Sequence, residues 1–338
     1  MKGIIFSKVK ELQLREDLPK PDLQPHEVLV KVKACGICGS DIESYSHGGL
    51  ELPGIILGHE FAGEIVQIGP KVKGWKIGDR IAVNPGIPCR DCYWCKHHQE
   101  NICKGMVALG VTINGAMAEF INVKTDRIYP LADSLSYTQA ATVEPIAVSV
   151  HALHESSFKL GDTAIVLGGG TIGLVMVQLL KLAGARKLFL VDPVPSKQEL
   201  GKKLGATEVF SPQRMKKIIR LTNKLGPDFI FDCAGTPQTF INSLQLIRKG
   251  GQIIITGIHS EPFEMRGFAQ LILKNITQKG VYGYTDDSFQ RALNLLESKK
   301  VNMDPLITSQ ISLEEVPKMF ETLSSPAHEE IKVVITFD

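Results

Sequence analysis

Apolar residues in the first 120 positions come in short runs broken by glycine, lysine and aspartate. "EVLVKVKACGICGSD" opens with apolar and polar positions in alternation, the period of a half-buried strand. "GEIVQIG", "GDRIAV" and "AEFINV" repeat the theme, so this stretch is predicted to be a β-rich domain with irregular loops. From about residue 149 the rhythm changes. "DTAIVLGG" is a continuous apolar run closed by glycine, which suits a strand covered on both faces. Residues 171–182 are predicted as a helix apolar on most faces, "KLFLVD" as a second strand and 196–204 as a second helix. "DFIFDCAG" and "GQIIITG" are further strands, each closed by glycine. Strand and helix alternate at the spacing of parallel βαβ units. Beyond about residue 284 an amphipathic helix over 288–298 leads into a last strand, "IKVVITF". The predicted class is α/β: a β-rich domain over 1–148, a doubly wound parallel sheet over 149–284, and a return over 285–338 that completes the first domain.

The length of 338 residues, more than one core usually organises, agrees with that division. Thirty-eight basic against 36 acidic residues leave a formal charge of +2, which gives no electrostatic reason to expect nucleic acid or an anionic membrane as partner. The most apolar stretch, 165–184, carries glycines at 168, 169, 170 and 173 and Lys181, a composition for a strand-to-helix turn rather than a bilayer span. The first residues turn charged too early for a signal peptide. A soluble, cytoplasmic protein is expected.

Seven cysteines, four of them crowded together, make a poor disulfide framework and a good metal site in a reducing compartment. The crowded four are Cys89-x2-Cys92-x2-Cys95-x7-Cys103. Four thiolates suit tetrahedral zinc, and a site closed by four protein ligands has no open position for Lewis-acid chemistry, so its role is structural. An Fe–S cluster or free thiols are the other readings of this spacing. Structural zinc sites bind with about 10–16 kcal/mol in isolated peptides, so loss of the ion should melt this lobe. A second, dispersed set is Cys38, His59, Glu60 and Glu144. One thiolate, one imidazole and one carboxylate suffice for a catalytic zinc with an open position. Cys35 and Cys233 are read as small core residues. The third signal is G-x-G-x-x-G at Gly168, Gly170 and Gly173, with Thr171 and Ile172 between. It follows the strand "AIVL" and opens a helix, as a pyrophosphate-binding turn must. Asp192 ends the next strand, where a carboxylate accepts from ribose hydroxyls and repels a 2′-phosphate. NAD is therefore expected over NADP, although Lys197 nearby would tolerate phosphate.

These signals, in this order, resemble the zinc-containing medium-chain dehydrogenase/reductase superfamily along essentially the whole chain. The landmarks are "CGICGSD", "GHEFAGEIVQIG", "GDRIAV", the four-cysteine loop, "EPIAV" and "LGGGTIGL". "GHE", "PGIPCRDCYWC" and "VEP" are most similar to the polyol branch typified by sorbitol dehydrogenase. The resemblance implies a GroES-like catalytic domain with a Rossmann domain, and zinc in both metal sites. It implies that Cys38 and His59 hold the catalytic ion, with Glu60 and Glu144 competing or alternating for the remaining position. It implies that Ser40 passes the substrate proton outward, and that Asp41 orients a ligand histidine. The expected activity is hydride transfer between a secondary alcohol of a polyol (sorbitol, galactitol or xylitol type) and NAD, giving the ketone. Butanediol, L-threonine and polyol-phosphate dehydrogenases are the alternatives. A homo-oligomer, tetramer or dimer, is implied as well. Two departures stand out. Glu43 occupies the position where many relatives carry a later relay histidine, with His47 nearby. The segment 45–56 has few polar side chains, which implies an altered pocket. Residues 257–275, with His259, Arg266 and Lys274, are candidates to line that pocket.

Overall fold

The computed structural model describes residues 1–259, 262–325 and 328–337. The chain forms two compact units, Met1–Pro145 with Thr285–Asp338, and Ile146–Tyr284.

In the first unit the main sheet runs, in hydrogen-bonded order, Ile128–Pro130, Arg80–Val83, Glu60–Ile68, Glu27–Gly36, Lys332–Thr336 and Ile307–Ile311. Phe120–Lys124 also pairs with Glu27–Gly36. Alternation decides the faces: Val28, Val30 and Val32 are fully buried and share a core with Phe61, Ile65, Ile81 and Phe320. The register is what matters for chemistry. Gly36 lies opposite Glu60 on one side and Val334 on the other. The end of Glu27–Gly36 therefore meets the beginning of Glu60–Ile68 on one side and the middle of Lys332–Thr336 on the other. A smaller, separate sheet is formed by Glu11–Arg15, Gly3–Lys8 and Ile55–Ile56, in that hydrogen-bonded order. "CGSD" begins a helix, Gly39–His47, that the strand pattern alone does not announce.

In the second unit six parallel strands run Glu208–Phe210, Lys187–Val191, Thr163–Leu167, Phe229–Asp232, Gln252–Ile255 and Thr277–Gly280. Every residue of Thr163–Leu167 is buried, the signature of a strand covered on both faces. The helix Thr171–Leu182 follows after the glycine turn. Gly168 has φ +97°, and a Cβ on Gly173 would overlap the Gly168 carbonyl oxygen, so this close strand-to-helix turn requires glycine at both places. Among the described residues no helix is long and apolar enough to cross a membrane.

The helix expected over 288–298 spans Asp286–Glu297, because Thr285 caps it by accepting from Ser288 N at 3.4 Å. Its first residue is a junction. Asp286 Oδ1 accepts from Arg127 at 2.8 Å and Asn84 at 3.0 Å, and Oδ2 accepts from Arg90 at 2.7 Å. Its backbone N–H donates to Glu100 Oε1 at 3.0 Å. Arg127 is 1% exposed, so this carboxylate neutralises a guanidinium sealed in the core and ties the returning segment to the cysteine loop. Burial pushes the Asp286 carboxyl up, but Arg127 and Arg90 outweigh it and hold it below the ordinary value of 3.8. Asp286→Ala strands a buried cation and should cost about 3 kcal/mol, read as a lowered unfolding temperature by calorimetry. Because the folded pKa is depressed, this contribution is present above the unfolded pKa and is lost as pH falls through the folded value. The gap between wild type and Asp286→Ala should therefore narrow in acid.

Candidate active site

Cys38 ends the turn after Glu27–Gly36 and stands at the N-terminus of the helix Gly39–His47. His59 and Glu60 open the strand Glu60–Ile68. The register brings these distant positions together, and the donor atoms of Cys38, His59 and Glu60 all lie within 4.8 Å of one another. His59 is 6% exposed and Glu60 1%. Asp41, fully buried, accepts from Cys38 N at 2.9 Å through Oδ2 and places Oδ1 3.6 Å from His59 Nδ1. That oxygen and that nitrogen make no hydrogen bond. Asp41 thus faces one ring nitrogen of His59, which leaves the other available to a cation.

The electrostatics of the cluster point the same way. Burial pushes Asp41 up to about 7, with repulsion from Glu51 and Glu60 adding to it and His59 opposing. Burial raises the Cys38 thiol. Burial works against charge on His59, but Asp41 and Cys38 outweigh it and hold the imidazole well above its ordinary value. Several buried acids crowd a single imidazole, and a divalent cation among them would relieve the repulsion.

Glu60 has a partner that local sequence does not reveal. Lys332 Nζ donates to Glu60 Oε2 at 2.6 Å, Glu60 Oε1 at 2.9 Å and the Ile37 carbonyl at 2.9 Å. Its three N–H bonds are all used, and it is 2% exposed. Burial opposes its charge, while Glu60 and Cys38 outweigh burial and keep the ammonium above its usual value. A Cβ on Gly36 would overlap Glu60 Oε2, so glycine there makes room for the pair. The only hint in sequence is a lysine heading the otherwise apolar strand "KVVIT". Glu144 sits in the first turn of the helix Val143–His154. Its charge reaches both His59 and Lys332, but it lies outside the three-donor group.

Ser40 Oγ donates to Glu51 Oε1 at 2.8 Å. Glu51 is a second residue that the sequence reading passed over, since the 45–56 segment reads as poor in polar groups. Glu43 and His47 do not contact Ser40 through any hydrogen bond described. They line a recess of 280 Å³ beside Cys38, together with Ser46, Ser324 and His328.

The four-cysteine loop gathers as one cluster. Cys92 Sγ lies 3.6 Å from Cys95 Sγ and 3.8 Å from Cys103 Sγ. Tetrahedral zinc with bonds of about 2.3 Å sets its sulfurs about 3.8 Å apart, so the cluster fits the ion. Backbone N–H groups of Cys92 and Cys89 donate to Cys89 and Cys103 sulfur at 3.4 and 3.3 Å. A hydrogen bond from the Cys95 backbone brings the Cys92 thiol down to about 6, while burial and the neighbouring thiols push Cys95 up to about 12. Cys35 is fully buried, as a core residue is; Cys233 is only partly buried.

In the second unit Gly168, Gly170, Thr171, Ile172 and Gly173 form the turn into the helix. Asp192 follows the strand Lys187–Val191. Its carboxylate already accepts from Gly169 N at 2.6 Å and Val194 N at 2.7 Å, so it braces the glycine turn. A carboxylate has about four acceptor sites, so capacity remains. Lys197 is 8% exposed. Of the pocket candidates, Arg266 pairs with Glu264 at 3.0 Å on the surface, and Lys274 donates to the carbonyls of Leu244, Gln245 and Ile247. His259 is exposed, its ring 5.9 Å from that of Phe263.

Residues 24–133 match the alcohol dehydrogenase GroES-like domain, and residues 171–298 match the zinc-binding dehydrogenase domain. Sorbitol dehydrogenase of Bacillus subtilis (strain 168) is 33% identical over 344 residues, covering 99% of this chain and 97% of its own. A zinc-binding dehydrogenase of Sinorhizobium meliloti 1021, bound to NADP, superposes with a TM-score of 0.91 at 30% identity over 99% of each chain. Galactitol-1-phosphate dehydrogenase of Escherichia coli superposes with a TM-score of 0.92 at 26% identity over all of both chains. The chain belongs to the zinc-containing medium-chain dehydrogenase/reductase superfamily, in the branch that includes sorbitol dehydrogenase.

Proposed function

We propose that this enzyme oxidises a secondary hydroxyl of a polyol to the ketone with NAD, and reduces the ketone in reverse. The observation that carries the reading is the buried group of one thiol, one imidazole and one carboxylate within 4.8 Å, beside a recess where serine, histidine and glutamate side chains stand among aliphatic ones. Such a wall offers both donors and acceptors, which suits a ligand rich in hydroxyls. Cys38 and His59 would hold a catalytic zinc. Glu60 is engaged twice by Lys332, which favours Glu144 as the next protein ligand and leaves Glu60 as the nearby alternate. Cys89, Cys92, Cys95 and Cys103 would hold a structural zinc. When bound, the catalytic ion supplies Lewis-acid polarisation of the substrate oxygen. Asp41 orients His59, Lys332 offsets the charge of Glu60, and Ser40 receives the hydroxyl proton. Gly168, Gly170, Thr171, Ile172 and Gly173 would receive the cofactor pyrophosphate, and Asp192 the adenosine ribose, with Lys197 beside it.

A homo-oligomer, dimer or tetramer, is supported by the exposed Phe268, Ile272, Leu273 and Tyr282, which flank the edge strand Thr277–Gly280. Seven free cysteines suit a reducing cytoplasm.

Initial rates of NAD reduction across sorbitol, xylitol, galactitol, their phosphates, 2,3-butanediol and L-threonine test the substrate class. Unphosphorylated polyols should give the highest kcat/KM, and a tenfold preference for butanediol or threonine would displace this reading. Elemental analysis should find two zinc ions per chain. Cys38→Ser should retain one, bind NADH normally by fluorescence, and lose about three orders of magnitude or more in kcat. A near-normal rate in that variant refutes the assignment. Asp192→Ala should lower the ratio of kcat/KM for NAD to that for NADP by about 10- to 100-fold, the worth of hydrogen bonds to a charged group. An unchanged ratio removes Asp192 from ribose recognition.

A further inference from the structure

Glu51 is out of keeping with its surroundings. Leu50 and Leu52 on either side are 42% and 49% exposed, yet Glu51 is 2% exposed. Its two carboxylate oxygens are taken by two serine hydroxyls, Ser40 at Oε1 (2.8 Å) and Ser44 at Oε2, and its own N–H donates to Ser44 Oγ at 3.3 Å. The Ser40 hydroxyl is the donor of this hydrogen bond and Glu51 Oε1 the acceptor. Its O–H points to Glu51, and its lone pairs are left for a donor on the other side. Ser40 lies two residues after Cys38, at the start of the same helix.

We propose that Glu51 is the proton acceptor beyond Ser40 and fixes the Ser40 hydroxyl in the accepting orientation; this rests on reading Ser40 as the first acceptor of the substrate proton. In oxidation the substrate O–H bond breaks and its proton passes to Ser40 Oγ, while the proton already on Ser40 Oγ passes to Glu51 Oε1. The C–H electron pair leaves with its hydrogen as hydride to the oxidised nicotinamide, and the C=O bond forms. Ser40 ends as the neutral hydroxyl it was, and Glu51 ends as a carboxylic acid. Reduction runs the same transfers backwards. The exposed residues on both sides of Glu51 place this acid just beneath the surface, from which the proton returns to solvent. Glu43, three residues after Ser40, is not the partner of its hydroxyl.

The test uses the zinc-replete enzyme. Glu51→Gln keeps the shape but cannot take a proton; its amide oxygen still accepts from one serine hydroxyl, while the other serine must turn to accept from the amide N–H. Its kcat should fall about 100-fold in both directions with KM little changed, the loss typical of a missing acid–base partner, while zinc content and NADH affinity stay at wild-type values. Infrared difference spectra of a single turnover should show a protonated-carboxyl band growing with NADH in wild type, and none in Glu51→Gln. Ser40→Ala should be as slow as Glu51→Gln, and the double variant no slower than Ser40→Ala. A Glu51→Gln enzyme within twofold of the wild-type kcat overturns the proposal, as does loss of zinc from that variant. Should Glu51→Gln not fold, the wild-type spectrum decides, and absence of the carboxyl band there overturns it. A fully active Ser40→Ala overturns the relay reading beneath it and leaves the dehydrogenase assignment standing.

Discussion

A carboxylate sealed from water needs a cation, and Glu60 finds one 272 residues further along the chain. The ion pair with Lys332 joins the last segment of the protein to the first unit, whose core Val333 and Ile335 of the same strand also enter. The strand that carries Lys332 lies beside Glu27–Gly36, which in turn pairs with Glu60–Ile68. One lysine at the head of that strand then reaches across the end of its neighbour. Removing either partner would leave a buried charge, which is far more costly than never having had the pair. The pair also sets the charge at the site. Asp41, Glu51 and Glu60 are all buried, with the Cys38 thiol among them, against one lysine and one histidine. This excess of negative charge is what a divalent cation would offset; burial, with repulsion from Glu51 and Glu60 added to it, drives Asp41 up to about 7.

The two metal clusters solve the same problem on different scales. Cys89, Cys92, Cys95 and Cys103 need only one loop, because short spacings let backbone N–H groups reach the sulfurs while the chain wraps. That cluster can form once its own loop closes. The Cys38 group needs two strands in register and a third to supply Lys332, so it depends on pairing between distant parts of the chain. Asp286 links the two: it ties the cysteine loop, through Arg90, to the segment that returns to deliver Lys332.

This contrast accounts for how much of the molecule was legible in sequence. The strand–helix rhythm of the second unit and the helix Thr171–Leu182 follow from local periodicity, since each βαβ unit carries its own pattern. The cysteine spacing and the glycine turn are equally local. Cys38, His59, Glu60 and Glu144 were readable as a dispersed candidate set from their chemistry, but it took the family resemblance to join them, because nothing near any of them announces the others. Lys332 and Glu51 were not readable. A lone lysine at the head of an apolar strand looks like a surface charge at a strand end. A lone glutamate among exposed leucines looks like a solvated acid. Burial of each is decided by a partner far away or across a turn, and hydrophobic pattern carries no information about that. The helix Gly39–His47 was missed for a related reason. Asp41 caps it through Cys38 N, and the same residue faces His59, so the local signal was read for its chemistry rather than for its structure.

Three buried carboxylates within a few residues of Cys38 and His59 have three different partners, and the partners divide the labour. Glu60 faces an ammonium and is held as a fixed counter-charge. Asp41 faces the imidazole and a backbone N–H, so it can orient but has little freedom to move. Glu51 faces only hydroxyls among its hydrogen-bond partners through its carboxylate, and a hydroxyl is the one neighbour here that can hand over a proton and take another back without changing its own charge. Chemically identical groups thus acquire distinct roles from environment alone. The same logic places the relay on the serine side of the site: a proton sent toward Asp41 or Glu60 would discharge an interaction that holds His59 or Lys332, whereas a proton sent to Glu51 leaves both in place.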